Sequence, residues 1–386
     1  MQLVAVPALL FDLTHKASWL GISTLAGMAP AVLLTPWAGV LSDRVNRRLI
    51  LISTQSVAMV ATFGLWALYE SGHIGPASIV AIGFINGIAT GFQTSTWQVF
   101  VPSLVPASEM LEAVRLNSTQ FTVARVVGPA TAGIVVANFG VGAAIFINAA
   151  TYLLVIGVLL VVRPNPQVMS ANRNSLSAFS EGARYVWHHA AIRLAVLLTL
   201  FTAFTGQSLQ YVAAAIAETA FGRKSTESAG LLTALGIGAF LASLIARPMT
   251  HRFARSRMML VALALFIAAP VIIAVSRSYA IGVAGYFVGG LAHLTFAVQV
   301  NSLIQVEAPD QLRGRTMSYY LLGILGGIAI GPLVMGAAID AFGVRPTLFA
   351  DAALVALVGL ALMASGTLRV MDRPLVRPAP LAAITP

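Results

Sequence analysis

Between two long apolar runs the chain places an acid and three arginines within the ten residues Gly39 to Arg48. Arginines beside an apolar run orient it in a bilayer, but that task has no use for an acid, so Asp43 calls for a different explanation from Arg44, Arg47 and Arg48. An ion pair that forms in one state and breaks in another is a switch, and an acid among arginines at a helix end has the chemistry for one. Arg313 and Arg315, just ahead of a later apolar run, are candidate partners for Asp43. Arg125 is a second charge that needs a reason, since it lies well inside an apolar stretch. A guanidinium there costs several kcal/mol unless it is paired or hydrated, so it must face a polar cavity or a partner. Gln93, Gln98 and Asn117 are candidate acceptors; no carboxylate is obvious, and an anion or an anionic, catecholate-like substrate is the natural counter-charge if none is found.

Polar side chains also recur on otherwise apolar runs. Asn86, Thr90, Gln93 and Trp97 fall on one helical face, Gln207 and Tyr211 lie on a later run, and His293, Thr295, Gln299 and Ser302 on another. We expect Gln93, Trp97, Gln207, Tyr211 and Gln299 to line a cavity, the alternative being that such stripes join helices by hydrogen bonds. His293 reads as a packing histidine rather than a proton carrier. Other chemistries find no support. Cysteine is absent, which removes disulfides, thiol nucleophiles and cysteine metal sites. There is no glycine-rich phosphate loop carrying Lys and Ser or Thr, so ATP is not expected to drive the protein directly, and no nucleophile, base or metal cluster suits a membrane enzyme. No cofactor or metal is expected. Proton coupling normally wants a carboxylate in the membrane, yet Asp12, Glu70, Glu218, Asp340 and Asp351 read as lying at outer helix ends. Asp12 and Asp43 are the candidates for that role.

The elements that must position these residues follow from composition. With 58% hydrophobic and 9% charged residues in 386, the chain cannot cover a water-soluble surface and reads as a polytopic membrane protein. Its formal charge of +10 marks topology rather than nucleic-acid binding. Apolar runs near 1 to 13, 18 to 41, 49 to 69, 76 to 101, 111 to 137, 141 to 162, 191 to 217, 229 to 249, 258 to 276, 279 to 305, 316 to 339 and 347 to 367 make twelve spans. With the Gly39 to Arg48 hairpin in the cytoplasm, 17 basic residues fall inside and five outside, which places both termini of the complete protein in the cytoplasm. The first run is short for a crossing, which needs roughly 20 residues. The expectation is therefore that Met1 is internal to a longer chain, or that the start is placed late, and that the first helix is truncated here. It is not a signal peptide, having no basic n-region and no small-residue cleavage site.

Pro164, Asn165, Pro166, Asn172, Arg173 and Asn174 form a polar linker that divides the chain six and six. After it, Phe179, Ala183, Val186 and Trp187 recur opposite Glu181, Arg184, His188 and His189, the pattern of an amphipathic interfacial helix. The halves repeat. Gly128, Pro129, Gly133, Phe139, Gly140 and Val141 return 203 positions later as Gly331, Pro332, Gly336, Phe342, Gly343 and Val344. The expected organisation is residues 1–163 as an N-terminal bundle, 164–190 as a cytoplasmic linker, 191–369 as a C-terminal bundle and 370–386 as a cytoplasmic tail.

The hairpin resembles the loop between helices two and three of the major facilitator superfamily, in which Gly39, Asp43, Arg44, Arg47 and Arg48 match and Asn46 stands where that family has Gly. Both residues tolerate a left-handed backbone, so the turn survives. Val105 to Gly133 and Asn301 to Ser318 resemble the enterobactin-exporter-like and macrolide-efflux-like branch. The resemblance implies an all-α membrane protein of two six-helix bundles, with twelve transmembrane helices and a binding site at their interface. It implies that Asp43 holds the halves closed on the inner side, near Arg313 and Arg315. Arg125, Gly128, Pro129, Ala132 and Gly133 resemble the antiporter-associated pattern of helix five, where small residues bring helices five and eight together. The implied activity is proton-coupled efflux of small amphipathic molecules such as siderophores, macrolides or other drug-like compounds, from the inner (plasma) membrane, with a small-molecule substrate, protons and the lipid bilayer as partners and no nucleic acid. Uptake of a small solute, or a transport-like sensor, is the alternative.

Overall fold

Apolar segments of this length cannot leave backbone N–H and C=O groups unpaired in hydrocarbon, so each closes its hydrogen bonds internally as a helix. The computed structural model describes residues 1–162 and 175–372. Their helices are α1 (Gln2–Thr14), α2 (Ala17–Arg44), α3 (Arg47–Glu70), α4 (Pro76–Phe100), α5 (Met110–Val161), α6 (Ser175–His188), α7 (Ala190–Phe204), α8 (Ser208–Tyr211), α9 (Ala213–Phe221), α10 (Ser228–Arg252), α11 (Arg255–Val275), α12 (Tyr279–Glu307), α13 (Asp310–Phe342) and α14 (Val344–Ala364). Among the described residues ten stretches are long and apolar enough to cross a membrane, one of them the 39-residue Val123–Val161. That stretch holds two crossings, because α5 turns at Gly140. With this division and the 13-residue α1, the twelve expected crossings are represented in two six-helix halves, α1 to α5 and α7 to α14.

The repeat seen in the sequence is a repeat of backbone geometry. Gly140 has φ 82 and ψ 175, and Gly343, 203 positions on, has φ 85 and ψ 166, a conformation open to glycine and closed to other L-residues. Each turns the chain from one crossing into the next. Small residues then set the helix spacing in both halves. A methyl group on Gly87 would stand 2.2 Å from the Gly27 carbonyl oxygen of α2, and one on its counterpart Gly290 would stand 2.0 Å from the Leu235 carbonyl oxygen of α10.

Two elements depart from the expected spans. The seventh crossing is broken: α7 stops at Phe204, α8 runs only from Ser208 to Tyr211, and α9 starts afresh at Ala213. The linker helix exists as α6, but its faces differ from expectation. Val186 is buried, whereas Trp187 is 63% exposed with the Arg193 guanidinium 5.9 Å over its ring. The Phe179 side chain and residues 163–174 and 373–386 lie outside what is described.

The core is asymmetric between the two ends of the molecule. One buried cluster draws on both halves, joining Val4, Leu10, Leu20, Ala132 and Ile145 to Leu209, Val212, Leu231, Met335 and Ile339. Among the described residues the other clusters stay within one half: Leu51, Phe100 and Leu159 in the first, and Ile192, Phe266, Phe296, Leu303 and Tyr320 in the second. The shared cluster lies toward the Gly140 and Gly343 turns, the separate ones toward the arginine-rich hairpin.

Gly140→Ala and Gly343→Ala should each cost about 1–3 kcal/mol through backbone strain. The check is the melting temperature of the detergent-solubilised protein, which should fall for both. Gly157→Ala, a helical position with nothing within 4 Å of the added methyl, should leave it unchanged or raise it.

Candidate functional site

On the arginine-rich face, α2 ends at Arg44 and α3 starts at Arg47. Asn46 caps α3, its side chain accepting from the Arg48 backbone N–H at 2.9 Å, so the residue that replaces glycine there satisfies an otherwise orphaned donor. The Arg47 Nε donates to the Ser42 carbonyl at 3.2 Å. Arg48 donates to the carbonyls of Leu159 and Leu160 at the end of α5, where a cation suits the negative pole of the helix. Arg44 and Arg313 are exposed. Asp43 occupies the last turn of α2; its side chain and the surroundings of Gly39 lie outside what is described.

Arg315, expected near Asp43, donates to Glu181 of α6. One further contact fastens α6 to the second half: the Tyr185 hydroxyl donates to the Glu307 carbonyl at 3.2 Å. The Glu307 carboxylate itself lies 3.3 Å from Nε2 of His189, the N-cap of α7, and 3.9 Å from Arg255 of α11. Burial, and then the Glu307 charge, raise the Tyr185 phenol above its ordinary value, so it stays a neutral donor.

The opposite face joins the halves. Asp340, in the last turn of α13, accepts from the Ala17 N–H at 2.7 Å and the Ser18 N–H at 2.9 Å. These are the first donors of α2, which no intrahelical carbonyl can satisfy, so a carboxylate from one half caps a helix of the other. His15 and Glu218 stand 3.5 Å apart across the same junction. A methyl on Gly21 would meet the Leu333 Cα at 2.3 Å, and one on Gly336 the Ala17 carbonyl oxygen at 2.4 Å, so α2 and α13 touch backbone to backbone. Asp12 is exposed on this face.

A second seam runs between α5 and α10. A methyl on Gly133 would stand 2.7 Å from Ala229 Cβ, and one on Gly236 2.5 Å from the Arg125 carbonyl oxygen. Gly133 thus lies where α5 and α10 approach closely; Gly128 has open space around it, and Pro129 and Ala132 are buried. Arg125 marks the end of this seam nearer the arginine-rich face. Its side chain is exposed, with no hydrogen bond or ion pair among the described residues. Asn117, a candidate partner, instead accepts from Trp97 Nε1 at 3.3 Å.

The broken seventh crossing places Gln207 and Tyr211 at its interruption. The Gln207 N–H reaches the Thr202 carbonyl at 3.2 Å, and the Tyr286 hydroxyl donates to the Leu209 carbonyl at 2.9 Å, repairing part of the lost backbone bonding. Irregular backbone at membrane depth survives where it is buried in protein or lines a wet cavity. Gln93 is half-buried, and Gln299 is 2% exposed with neither side-chain atom partnered; the same holds for both side-chain atoms of Asn86 and for His293 Nδ1. A cleft of about 510 Å³ beside Gly133, Thr233 and Ile237 opens between α5, α10 and α12 but does not include Arg125.

Two features escaped the sequence. The acid at 340 reads as a mere helix end until the start of α2 is seen against it. Asp351 is not at a helix end: it is buried, about 10 Å along α14, with Oδ2 unpartnered. Thr205, Gly206 and Gln207 in mid-run were the available signal for the break.

With Leu20→Cys as a reporter in the shared cluster, maleimide labelling should be slow in the parent and several-fold faster when Asp340→Ala is added. Equal rates would deny Asp340 a part in holding that face shut.

A family model described as "Transmembrane secretion effector" matches residues 1–380. The chain is 23% identical to the staphyloferrin A transporter of Staphylococcus aureus, over 86% of this chain and 84% of that protein. It is 25% identical to the multidrug efflux pump Tap of Mycolicibacterium fortuitum, over 96% and 93%. In fold it is similar to a point mutant of the nucleoside transporter NupG, with a TM-score of 0.79 at 12% identity, covering 94% of each chain.

Proposed function

The chain belongs to the transmembrane secretion effectors of the major facilitator superfamily, and we propose that it is a proton-coupled exporter of small amphipathic molecules, working by alternating access. The observation that carries this reading is the asymmetry of the core: among the described residues, the buried cluster that joins the halves lies toward Asp340, and the clusters toward the arginine-rich hairpin each stay within one half. The relatives named for staphyloferrin A transport and multidrug efflux support export. The excess of arginine on the hairpin side favours placing that side in the cytoplasm of a plasma membrane, which makes the present state open inward.

In this reading the two faces carry reciprocal latches on one antiparallel helix pair. Asp340, at the outer end of α13, caps the start of α2; when the outer face opens, that contact is lost. Asp43, at the inner end of α2, then meets the arginine-bearing start of α13, and Arg315 exchanges Glu181 for it. Gln93, Trp97, Gln207, Tyr211 and Gln299 contact cargo between the latches. Proton transfer uses a carboxylate, and Asp351 joins Asp12 and Asp43 as a candidate because an unpaired buried carboxyl favours its neutral form.

The test is accumulation of siderophores, macrolides and fluorescent dyes in efflux-deficient cells, with and without a protonophore and with Asp12→Asn, Asp43→Asn and Asp351→Asn. Export of at least one compound class should be protonophore-sensitive and strongly reduced by Asp43→Asn. Gradient-driven accumulation would reverse the direction, and ligand binding with no flux under any condition would make the protein a sensor.

A further inference from the structure

The cleft beside Gly133 has walls from both halves and an end that carries charge. Gly133, Ile134 and Ala137 of α5 form one side, and Ala229 and Ile237 of α10 with Val283 of α12 form the other. Both sides belong to stretches that can cross a membrane, and Ile134, Ala137 and Ile237 are exposed, so the cleft opens onto hydrocarbon. Its two polar side chains donate back to their own helices: the Thr233 hydroxyl to the Ala229 carbonyl at 2.7 Å, and Asn138 Nδ2 to the Ile134 carbonyl at 2.8 Å. What fits between such walls is apolar.

Toward the Gly140 turn the cleft continues into a hollow of about 220 Å³ that shares Gly133, Ala137 and Ala229 and adds Thr226, Glu227 and Tyr279. Here the chemistry changes. The Glu227 carboxylate accepts the Lys224 backbone N–H at 3.2 Å and lies 3.7 Å from the Arg223 guanidinium, which also stands 5.6 Å over the Tyr279 ring. The Tyr279 hydroxyl donates to the Glu227 carbonyl at 2.6 Å. Glu227 answers Arg223, whereas the exposed Lys224 ammonium has no partner among the described residues, so positive charge is in surplus at this end. A tyrosine at the end of a crossing stands at headgroup depth, its ring in apolar surroundings and its hydroxyl among polar groups.

We propose that the cleft binds an anionic phospholipid of the surrounding leaflet, with one acyl chain between α5, α10 and α12 and the phosphate held by Arg223 and Lys224. The side chains follow the order of groups along such a lipid. Cations come first for the phosphate, then the Thr226 hydroxyl and Tyr279 at the depth of the glycerol esters, then apolar surface for the chain. A headgroup with its own ammonium would set that cation beside Arg223 and Lys224, so a headgroup of net negative charge is preferred. Because α5 belongs to the first half and α10 and α12 to the second, the lipid spans the seam between them. This binding is separate from the cargo contacts and holds whichever way cargo moves.

The experiment is native mass spectrometry of the purified full chain, released from detergent micelles carrying equal amounts of dioleoylphosphatidylglycerol and dioleoylphosphatidylcholine. The parent should retain phosphatidylglycerol at least about fivefold in preference. Arg223→Gln combined with Lys224→Gln should abolish that preference. Ala137→Phe, which fills the cleft where it joins the hollow, should reduce retention of either lipid several-fold. Leu357→Phe, on the exposed surface of α14, should change neither. Lys224→Gln alone alters an exposed side chain and should lower the preference several-fold, which keeps the test decisive if the other variants do not fold. Equal retention of the two lipids by the parent, or a preference untouched by Lys224→Gln, would overturn the site. So would equal losses in Leu357→Phe and Ala137→Phe, which would spread the lipid over the whole apolar surface. Displacement of phosphatidylglycerol by a dye that the protein exports would make the cleft a cargo entrance instead.

Discussion

The two halves of this protein meet backbone to backbone toward the Gly140 and Gly343 turns, and the rest of the structure is arranged around that contact. Backbone meets backbone where Gly21 faces Leu333 and where Gly336 faces Ala17. Such contacts are available only to residues without side chains, and they bring Leu20, Val212, Met335 and Ile339 into one buried cluster. Toward the hairpin no described cluster spans the halves; Arg48 keeps its polar contacts within the first half, and Tyr185 ties the linker helix α6 to the second.

Magnitudes assign the parts their weight. A carboxylate at a surface-exposed helix start contributes about 0.3–1 kcal/mol. Fully burying a Leu, Ile or Met side chain contributes about 1.5–3 kcal/mol when the alternative is water. The apolar cluster therefore supplies most of the closure, and Asp340 trims it. A transporter needs that balance, because a seal held by many kcal/mol would not open for a ligand whose differential affinity is only a few. The small residues serve the same end: they give a close but thin contact that parts without dragging long side chains past one another.

Much of this was legible beforehand. The repeat from Gly128 to Gly331 foretold paired helices, and Gly140 and Gly343 proved to share one unusual backbone conformation. Gly133 was expected to bring helices five and eight together, and it lies on that seam. What could not be read were pairings over long separations. Nothing near Asp340 in the chain says that the donors it satisfies are those of Ala17 and Ser18, some 320 residues away. Asp351 was misplaced for a related reason: hydropathy locates the ends of a run only to within a turn or two, and the run begins at Val344 rather than beside the acid. Periodicity puts Glu181 on the polar face of α6, where it is exposed, but it does not say that Arg315 is its partner, because it separates two faces without saying what packs on either.

The absence of cysteine makes the central claim directly measurable, since spin labels can be placed in pairs without removing native thiols. Leu49→Cys with Gln305→Cys spans the halves on the arginine-rich face, and Ser71→Cys with Ser278→Cys spans them on the opposite face. Pulsed electron paramagnetic resonance in nanodiscs should show the first distance shortening and the second lengthening together when the Asp340 latch is removed or cargo is added. Two distances that stay fixed, or that lengthen together, would contradict a molecule whose halves are sealed at one face in order to open at the other.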